Sequence, residues 1–118
     1  MIIYELLNKP KRVNVSLLDS CILFAYDYLK LSCVDFFILD FAEMSDLYGY
    51  CIYDDEEPVI TISDSLDQQD MITTIFHELV HLAQYGSGRR KELDCDPIWE
   101  IEAYALEQKM SKLYLEGV

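Results

Sequence analysis

The chain has 118 residues, of which 52% are hydrophobic and 26% charged. This length and composition exclude an intrinsically disordered chain and suffice for one domain with its own core. The formal net charge is −13, so the field of the protein repels phosphate backbones and disfavours nucleic-acid binding. No apolar run reaches the roughly 18 residues that a membrane span needs. We therefore expect one domain over residues 1–118, with no nucleic-acid or membrane partner.

The N-terminus and the cysteines predict a reducing compartment. The chain begins with apolar residues and reaches its first cation only at Lys9, whereas a secretory signal places positive charge before its apolar stretch. The four cysteines form no Cys-x-x-Cys pair, and a chain of this length needs no disulfide framework. We expect a cytoplasmic protein in which Cys21, Cys33 and Cys51 are buried small apolar residues.

The first half of the chain predicts a helix followed by strands. Ser16 is a suitable N-cap, and apolar residues recur at helical spacing from there to about Leu31. Three later runs are rich in aromatic and branched residues, as is typical of strands: 36–39, 47–53 and 59–63. An acidic loop separates the last two runs, so they predict a β-hairpin.

The second half of the chain predicts two helices. Ser65 and Gln68 fit a capping box, and Gly86 is a suitable terminator for the helix that follows. The apolar stripe of this helix consists of Met71, Ile72, Ile75, Phe76, Leu79, Leu82 and Ala83. A last helix covers about 98–115. The predicted fold class is α+β, with a small and mostly antiparallel sheet, an N-terminal helix and two C-terminal helices.

The long helix contains His77-Glu78-Leu79-Val80-His81, an H-E-x-x-H motif. Residues four apart lie on one helix face, so the two imidazoles can bind one Zn²⁺. Glu78 points elsewhere and can take a proton from a water at the open coordination position. Both histidines of the chain lie in this motif, within an apolar surround where unpaired imidazoles would be costly. The alternative is a pair of ordinary half-buried histidines on an amphipathic helix.

A catalytic zinc usually takes three protein ligands, so a further ligand is needed beyond the two histidines. On a helical wheel, the last helix has an apolar stripe of Trp99, Ala103, Leu106, Met110 and Leu113. Glu102 lies about 60° from the centre of this stripe, and Glu100 lies about 100° away on the other side. Glu102 is therefore the predicted third ligand. Glu100 remains the alternative ligand, or an acceptor that orients a histidine.

These motifs resemble the zincin metallopeptidases, and within them the gluzincins, whose third zinc ligand is a glutamate. The chain looks most like the minimal single-domain forms of phages and bacteria. The resemblance covers about 48–107: the hairpin, the H-E-L-V-H helix and a helix that opens with P-I-W-E-I-E-A-Y. It implies a zincin-like domain in which His77, His81 and Glu102 bind zinc and Glu78 is the general base.

The resemblance also implies where the substrate binds. In the family, the strand before the active helix pairs with an extended peptide, a role that would fall here to 59–63. A phage-encoded protein of this kind would act in the host cytoplasm. The chain departs from some gluzincins at Leu106, which stands where they have an acidic residue that orients a histidine. We also expect no second lobe that would close a deep cleft.

Four more residues are candidates for roles at the site. Tyr104, Tyr85 and Arg89 could stabilise a developing oxyanion, by position alone. Cys95 could bind zinc as a thiolate, although a spectator thiol is the simpler interpretation because no second cysteine is near it in sequence.

The sequence is interpreted as that of a zinc-dependent metallohydrolase, and within that class a peptidase that acts on a peptide or protein. The alternative is a zinc-binding interaction module with little or no catalytic activity that modulates a partner protein. The intact Glu78 favours the enzyme, because a structural zinc site needs no base there. A third interpretation, an acidic mimic of nucleic acid, rests on net charge alone. The substrate and the oligomeric state are not encoded in any recognisable pattern.

Overall fold

A computed structural model describes residues 3–31, 36–52, 57–86 and 97–116. Its elements in chain order are β1 Ile3–Leu7, α1 Val15–Leu29, β2 Phe36–Ala42, β3 Gly49–Ile52, β4 Val59–Ser63, α2 Gln68–Gly86 and α3 Pro97–Glu116. The described residues thus form three helices and a four-stranded sheet, and the predicted α+β class is confirmed.

The sheet is mixed, with the strand order β1-β2-β4-β3. β3 and β4 are antiparallel, as the predicted hairpin requires, and Cys51 lies opposite Ile60. The expectation of a mostly antiparallel sheet is wrong, because β1 pairs with β2 and β2 pairs with β4 in parallel. Parallel neighbours need a crossover connection, and α1 supplies it between β1 and β2.

The sequence interpretation lacked β1 and placed the start of α1 two residues late. β1 is followed by Asn8, whose φ of 58° lies in the left-handed region and turns the chain out of the sheet. The N-cap of α1 is Asn14, not Ser16, since the Asn14 side chain accepts a hydrogen bond from the backbone N–H of Leu17 at 3.2 Å. Lys9 donates to the carbonyl of Val13 at 2.7 Å, which closes the connecting loop.

α2 lies at the centre of the fold, where it packs against α1, α3, β3 and β4. Every residue of its predicted apolar stripe is buried except Ala83, which is partly buried. The cap differs from the prediction: Asp67 accepts a hydrogen bond from the backbone N–H of Asp70 at 2.8 Å, whereas Ser65 pairs with the hydroxyl of Ser63. The helix ends at Gly86, as predicted.

α3 packs against α2 and α1 with a face that differs from the predicted stripe. Its buried residues are Trp99, Ala103, Glu107, Met110 and Tyr114. At 100° per residue, this face is rotated by about 40° from the predicted one, toward Glu100 and away from Glu102. The rotation matters because it decides which carboxylate reaches α2.

Two further predictions concern compartment and cysteines. No helix among the described residues is long and apolar enough to cross a membrane. Cys21 is buried, as predicted, and Cys51 is half-buried. Cys33, Cys95 and Arg89 lie outside the described residues.

Candidate metal centre

The two histidines of the H-E-x-x-H motif lie one turn apart on α2, on the side that meets α3. Their ring centroids are 4.9 Å apart, and each residue is 9% exposed. The surrounding apolar residues of α2 belong to the hydrophobic core. His77 and His81 share one face of this helix, as the spacing predicts.

Glu100, in the first turn of α3, contacts both imidazoles with its two carboxylate oxygens. Its Oε2 lies 3.2 Å from Nε2 of His77, and its Oε1 lies 2.8 Å from Nε2 of His81. The three potential ligand atoms all lie within 4.8 Å of one another. Two ligand atoms of a tetrahedral zinc, each 2.0–2.1 Å from the ion, are separated by about 3.3 Å. The two distances between Glu100 oxygens and the imidazole nitrogens are close to this separation.

Both histidines also have a hydrogen-bond acceptor at Nδ1. Nδ1 of His77 donates to Oε1 of Glu107 at 3.1 Å, and Nδ1 of His81 donates to Oε1 of Gln84 at 2.7 Å. Gln84 and Glu107 are both buried. An imidazole that donates from Nδ1 offers the lone pair of Nε2, so both rings are oriented for a ligand at Nε2.

The orientation of the Gln84 amide is determined by its neighbours. Its Nε2 donates to the backbone carbonyl of Trp99 at 3.1 Å and to Oε1 of Glu102 at 3.0 Å. Both partners are acceptors, so the amide nitrogen must face them and the amide oxygen must face His81. These hydrogen bonds connect the last turn of α2 to the first turn of α3.

A carboxylate that meets two Nε2 atoms requires positive charge at the contact. A neutral imidazole that donates from Nδ1 has a lone pair at Nε2, and the oxygens of Glu100 also carry lone pairs. A cation shared by all three groups would relieve the contact between these lone pairs. Two imidazoles and a carboxylate are the donor set that binds Zn²⁺ with an open position, so these residues fit the ion.

Glu102 does not take the place that the wheel predicted for it, and the prediction is corrected. The structure brings Glu100 to His77 and His81, while Glu102 accepts a hydrogen bond from Gln84. The physical reason is the rotation of α3: relative to the observed buried face, Glu100 is about 60° from the centre and Glu102 about 100°. Glu100, which the sequence analysis kept as the alternative ligand, is therefore the carboxylate that lies at the two histidines.

Glu78 is 4% exposed and lines the same cleft as the two histidines. Its charge also acts on His77. Burial alone would lower the pKa of His77, but the hydrogen bond to Glu107 and the charges of the nearby glutamates outweigh burial. As a result, the pKa of this imidazole lies above its usual value. The site concentrates negative charge around the ring nitrogens.

The histidines open onto a cleft with a volume of about 830 Å³. One wall is α3, the floor is α2, and the other wall is β3 with the segment before it. β3 pairs with β4 along one edge, and no described strand pairs with its other edge. Gly49 at the start of β3 packs closely against Thr74 of α2, which sets the strand beside the helix.

The expectation that a peptide pairs with 59–63 is wrong. This segment is β4, and both of its edges are already hydrogen bonded, to β2 and to β3. A strand in the interior of a sheet has no backbone groups left to pair with a peptide. The edge that borders the cleft belongs to β3.

The two candidate tyrosines both line the cleft, in different surroundings. The ring of Tyr104 lies 4.7 Å from the ring of His77 and is tilted by 57°. The ring of Tyr85 packs edge-on against Trp99, with centroids 4.9 Å apart. The ring of Tyr104 is therefore in contact with the imidazole of His77.

Sequence reasoning missed the roles of Gln84 and Glu107. Gln84 follows His81 by three residues, so the two lie on the same face of α2. Glu107 follows Glu100 by seven residues, so these two lie on the same face of α3. These spacings could have predicted both roles. For Glu107, the correct buried face of α3 was also needed, because the predicted apolar stripe had Leu106 in place of Glu107.

No family model matches the sequence, and no curated protein or solved structure matches it either.

Proposed function

We propose that the protein is a zincin-like, zinc-dependent metallopeptidase. The observation that carries the proposal is the convergence of His77, His81 and Glu100 beside Glu78, at the floor of a cleft. A site with structural metal alone would need no carboxylate at position 78. The cleft and the strand edge beside it give a substrate room to reach these groups.

The residues that would hold the ion are His77 and His81 through Nε2, and Glu100 through its carboxylate. Glu107 and Gln84 keep the two rings in the required orientation. When bound there, Zn²⁺ would polarise the substrate carbonyl and lower the pKa of an adjacent water. Zinc suits this donor set better than magnesium or calcium, which prefer oxygen ligands.

Glu78 is the proposed general base. It accepts a proton from the attacking water and passes it to the leaving amine, so that the amine departs as a neutral group. Its place in the lining of the cleft, next to His77 in the chain, supports this role.

The substrate is proposed to bind as an added strand on the edge of β3 that borders the cleft. Backbone pairing holds a peptide extended and presents successive carbonyls along the cleft. The position of β3 next to α2 supports this placement, since a peptide on that edge would run past His77 and Glu78.

Tyr104 is the proposed stabiliser of the oxyanion. Its contact with the ring of His77 supports this choice over Tyr85, which packs against Trp99. A phenol beside the site can donate a hydrogen bond to an oxygen on which negative charge develops. Tyr104→Phe should lower kcat and leave zinc content unchanged.

The test combines metal analysis with peptide cleavage by the Glu78→Gln variant. The parent should contain about one zinc per chain, and His77→Ala should lose it. Glu78→Gln keeps the size of the side chain and removes its basicity, so it should retain fold and zinc. Its peptide hydrolysis should fall by the roughly 10²- to 10⁴-fold that loss of a general base causes.

The substrate set must be a diverse peptide library, because the preferred sequence is unknown. If the fully zinc-loaded parent cleaves nothing in the library but binds a partner protein, the interaction module replaces the peptidase. Full activity in Glu78→Gln would also contradict the proposed mechanism.

A further inference from the structure

The cleft beside the candidate metal centre has aromatic walls. The rings that line it belong to Tyr48, Tyr50, Tyr85, Trp99 and Tyr104. Tyr48 is 59% exposed and Tyr104 is 58% exposed, on opposite walls, so both present ring surface to a ligand in the cleft. Aromatic faces bind apolar groups, and they also attract the ammonium of lysine and the guanidinium of arginine.

The cleft is also strongly acidic. Its carboxylates are Asp46, Asp70, Glu78, Glu100 and Glu107. No lysine or arginine is among the described residues that line it. One divalent ion would balance two of the five formal charges and leave three. The net charge of the whole chain is −13, so the overall field of the protein has the same sign.

Two of these carboxylates, Asp46 and Asp70, have no role at the candidate metal centre. Asp70 precedes His77 by two turns of α2, a distance of about 10 Å along the helix axis. Asp46 lies just before β3, whose first residue, Gly49, packs against Thr74. Asp70 therefore lies on the side of His77 that faces the start of α2. An extended peptide rises about 3.3 Å per residue, so Asp70 is about three residues of such a peptide from the metal centre.

Resting on the peptidase function proposed above, we infer that the cleft selects extended peptide segments with a lysine or arginine about three residues from the cleaved bond. Charge complementarity with Asp46 and Asp70 identifies the occupant, and the exposed rings of Tyr48 and Tyr50 pack along the same side chain. An acidic segment would be repelled by the same field. A purely apolar segment would contact the rings but leave the carboxylates without a partner.

The first experiment measures cleavage of a random-sequence dodecapeptide library by the zinc-loaded protein, with products read by mass spectrometry. Lysine and arginine should be enriched several-fold about three positions to one side of the cleaved bond. The enrichment should shrink at high salt, because exposed charges are screened. Cleavage without this enrichment, or with enrichment of acidic residues, would overturn the inference and leave the peptidase function standing.

A matched pair of variants tests whether the cleft is responsible. Asp46→Asn/Asp70→Asn removes two charges from the cleft, and Asp27→Asn/Glu116→Gln removes two from exposed positions elsewhere. On one lysine-containing peptide, kcat/KM should fall about 3- to 10-fold in the first variant only. Equal effects in both variants would show general attraction to an acidic protein and refute the assignment. Circular dichroism and zinc content verify that both variants fold.

A binding measurement separates this inference from the peptidase function. The zinc-loaded Glu78→Gln protein is titrated with a fluorescently labelled lysine peptide, and with the same peptide carrying glutamate instead. The lysine peptide should bind at least about 10-fold more tightly, with a preference that depends on Asp46 and Asp70. If no library peptide is cleaved yet this preference is observed, the peptidase function fails and the selectivity of the cleft stands. Equal binding of the two peptides refutes the selectivity.

Discussion

Glu107 contacts His77 on the opposite side of the ring from Glu100: its Oε1 accepts a hydrogen bond from Nδ1 at 3.1 Å. One helix, α3, thus provides a carboxylate at each nitrogen of the same imidazole. This arrangement prevents rotation of the ring and raises the basicity of Nε2. It also explains why a glutamate is buried in the face by which α3 packs.

The first prediction follows from the charge of Glu107. In the metal-free protein, Glu107→Gln should lower the pKa of His77, because the amide keeps an acceptor but removes the negative charge. With only two histidines in the chain, the titration of both imidazoles can be followed by NMR. In the parent, the pKa of His77 should lie above its usual value of 6.5.

The sign of the linked stability follows from the raised pKa. The protonated His77 stabilises the metal-free fold fully below about pH 6.5, and this contribution is lost as the pH rises through the raised pKa. Glu107→Gln should weaken that dependence and reduce zinc affinity about 10- to 100-fold. Glu116→Gln, at the exposed end of α3, is the control and should change neither. An unaltered His77 titration in Glu107→Gln would contradict the assigned contact.

The second prediction concerns the choice between two neighbouring glutamates. Glu100→Gln should reduce zinc affinity sharply, because it removes the carboxylate that meets both Nε2 atoms. Glu102→Gln should have a smaller effect, since Glu102 accepts a hydrogen bond from the Gln84 amide, which in turn orients His81. Competition with a chromogenic chelator measures both affinities. The reverse order of effects would restore Glu102 as the ligand.

The sequence predicted much of this site and missed one choice, for an identifiable reason. His77, Glu78 and His81 depend only on local helical spacing, which a single sequence reveals. The third ligand depends on the rotation of α3. That rotation depends on whether Leu106 or its neighbour Glu107 is buried against α2. Apolarity favours Leu106, but the hydrogen bond to His77 compensates the burial of Glu107. Tertiary context decided between them.

The fold shows the same division between local and long-range information. The hairpin of β3 and β4 and the end of α2 at Gly86 follow from local patterns, and both are confirmed. β1 is a five-residue strand, and it is recognisable as such only through its parallel pairing with β2 across α1. Parallel pairing joins residues that are distant in sequence, so no local pattern reports it.

The third prediction concerns metal removal. His77 and His81 lie on α2 and Glu100 on α3, so an ion held by them would tie the two helices together. Binding to the folded state alone stabilises it by about 4 kcal/mol when free zinc exceeds its Kd a thousandfold. Chelation should therefore lower the Tm in differential scanning calorimetry, and added zinc should restore it. His77→Ala should show no such difference; an unchanged Tm in the parent after verified metal removal would contradict the bridging site.

The last prediction concerns Gly49, where β3 begins. A Cβ at this position would lie 2.8 Å from the carbonyl oxygen of Thr61 and 2.9 Å from Cγ2 of Thr74. Gly49→Ala should therefore reduce the free energy of unfolding by about 1–3 kcal/mol, measured by urea titration. Because β3 carries none of the three ligands but forms a wall of the cleft, zinc content should persist while peptide cleavage falls.

Thr74→Ser provides a matched test of the cause. It removes the methyl group that the new Cβ would meet, but it leaves the backbone carbonyl of Thr61 in place. In a double-mutant cycle, Thr74→Ser should recover only part of the stability lost in Gly49→Ala, because a carbonyl within the sheet cannot move without disturbing the β3–β4 pairing. If Thr74→Ser recovered all of the lost stability, the destabilisation by Gly49→Ala would come entirely from the contact with the Thr74 side chain. A stability equal to that of the parent in Gly49→Ala alone would show that β3 shifts freely, and a strand that shifts freely could not hold a peptide in register beside Glu78.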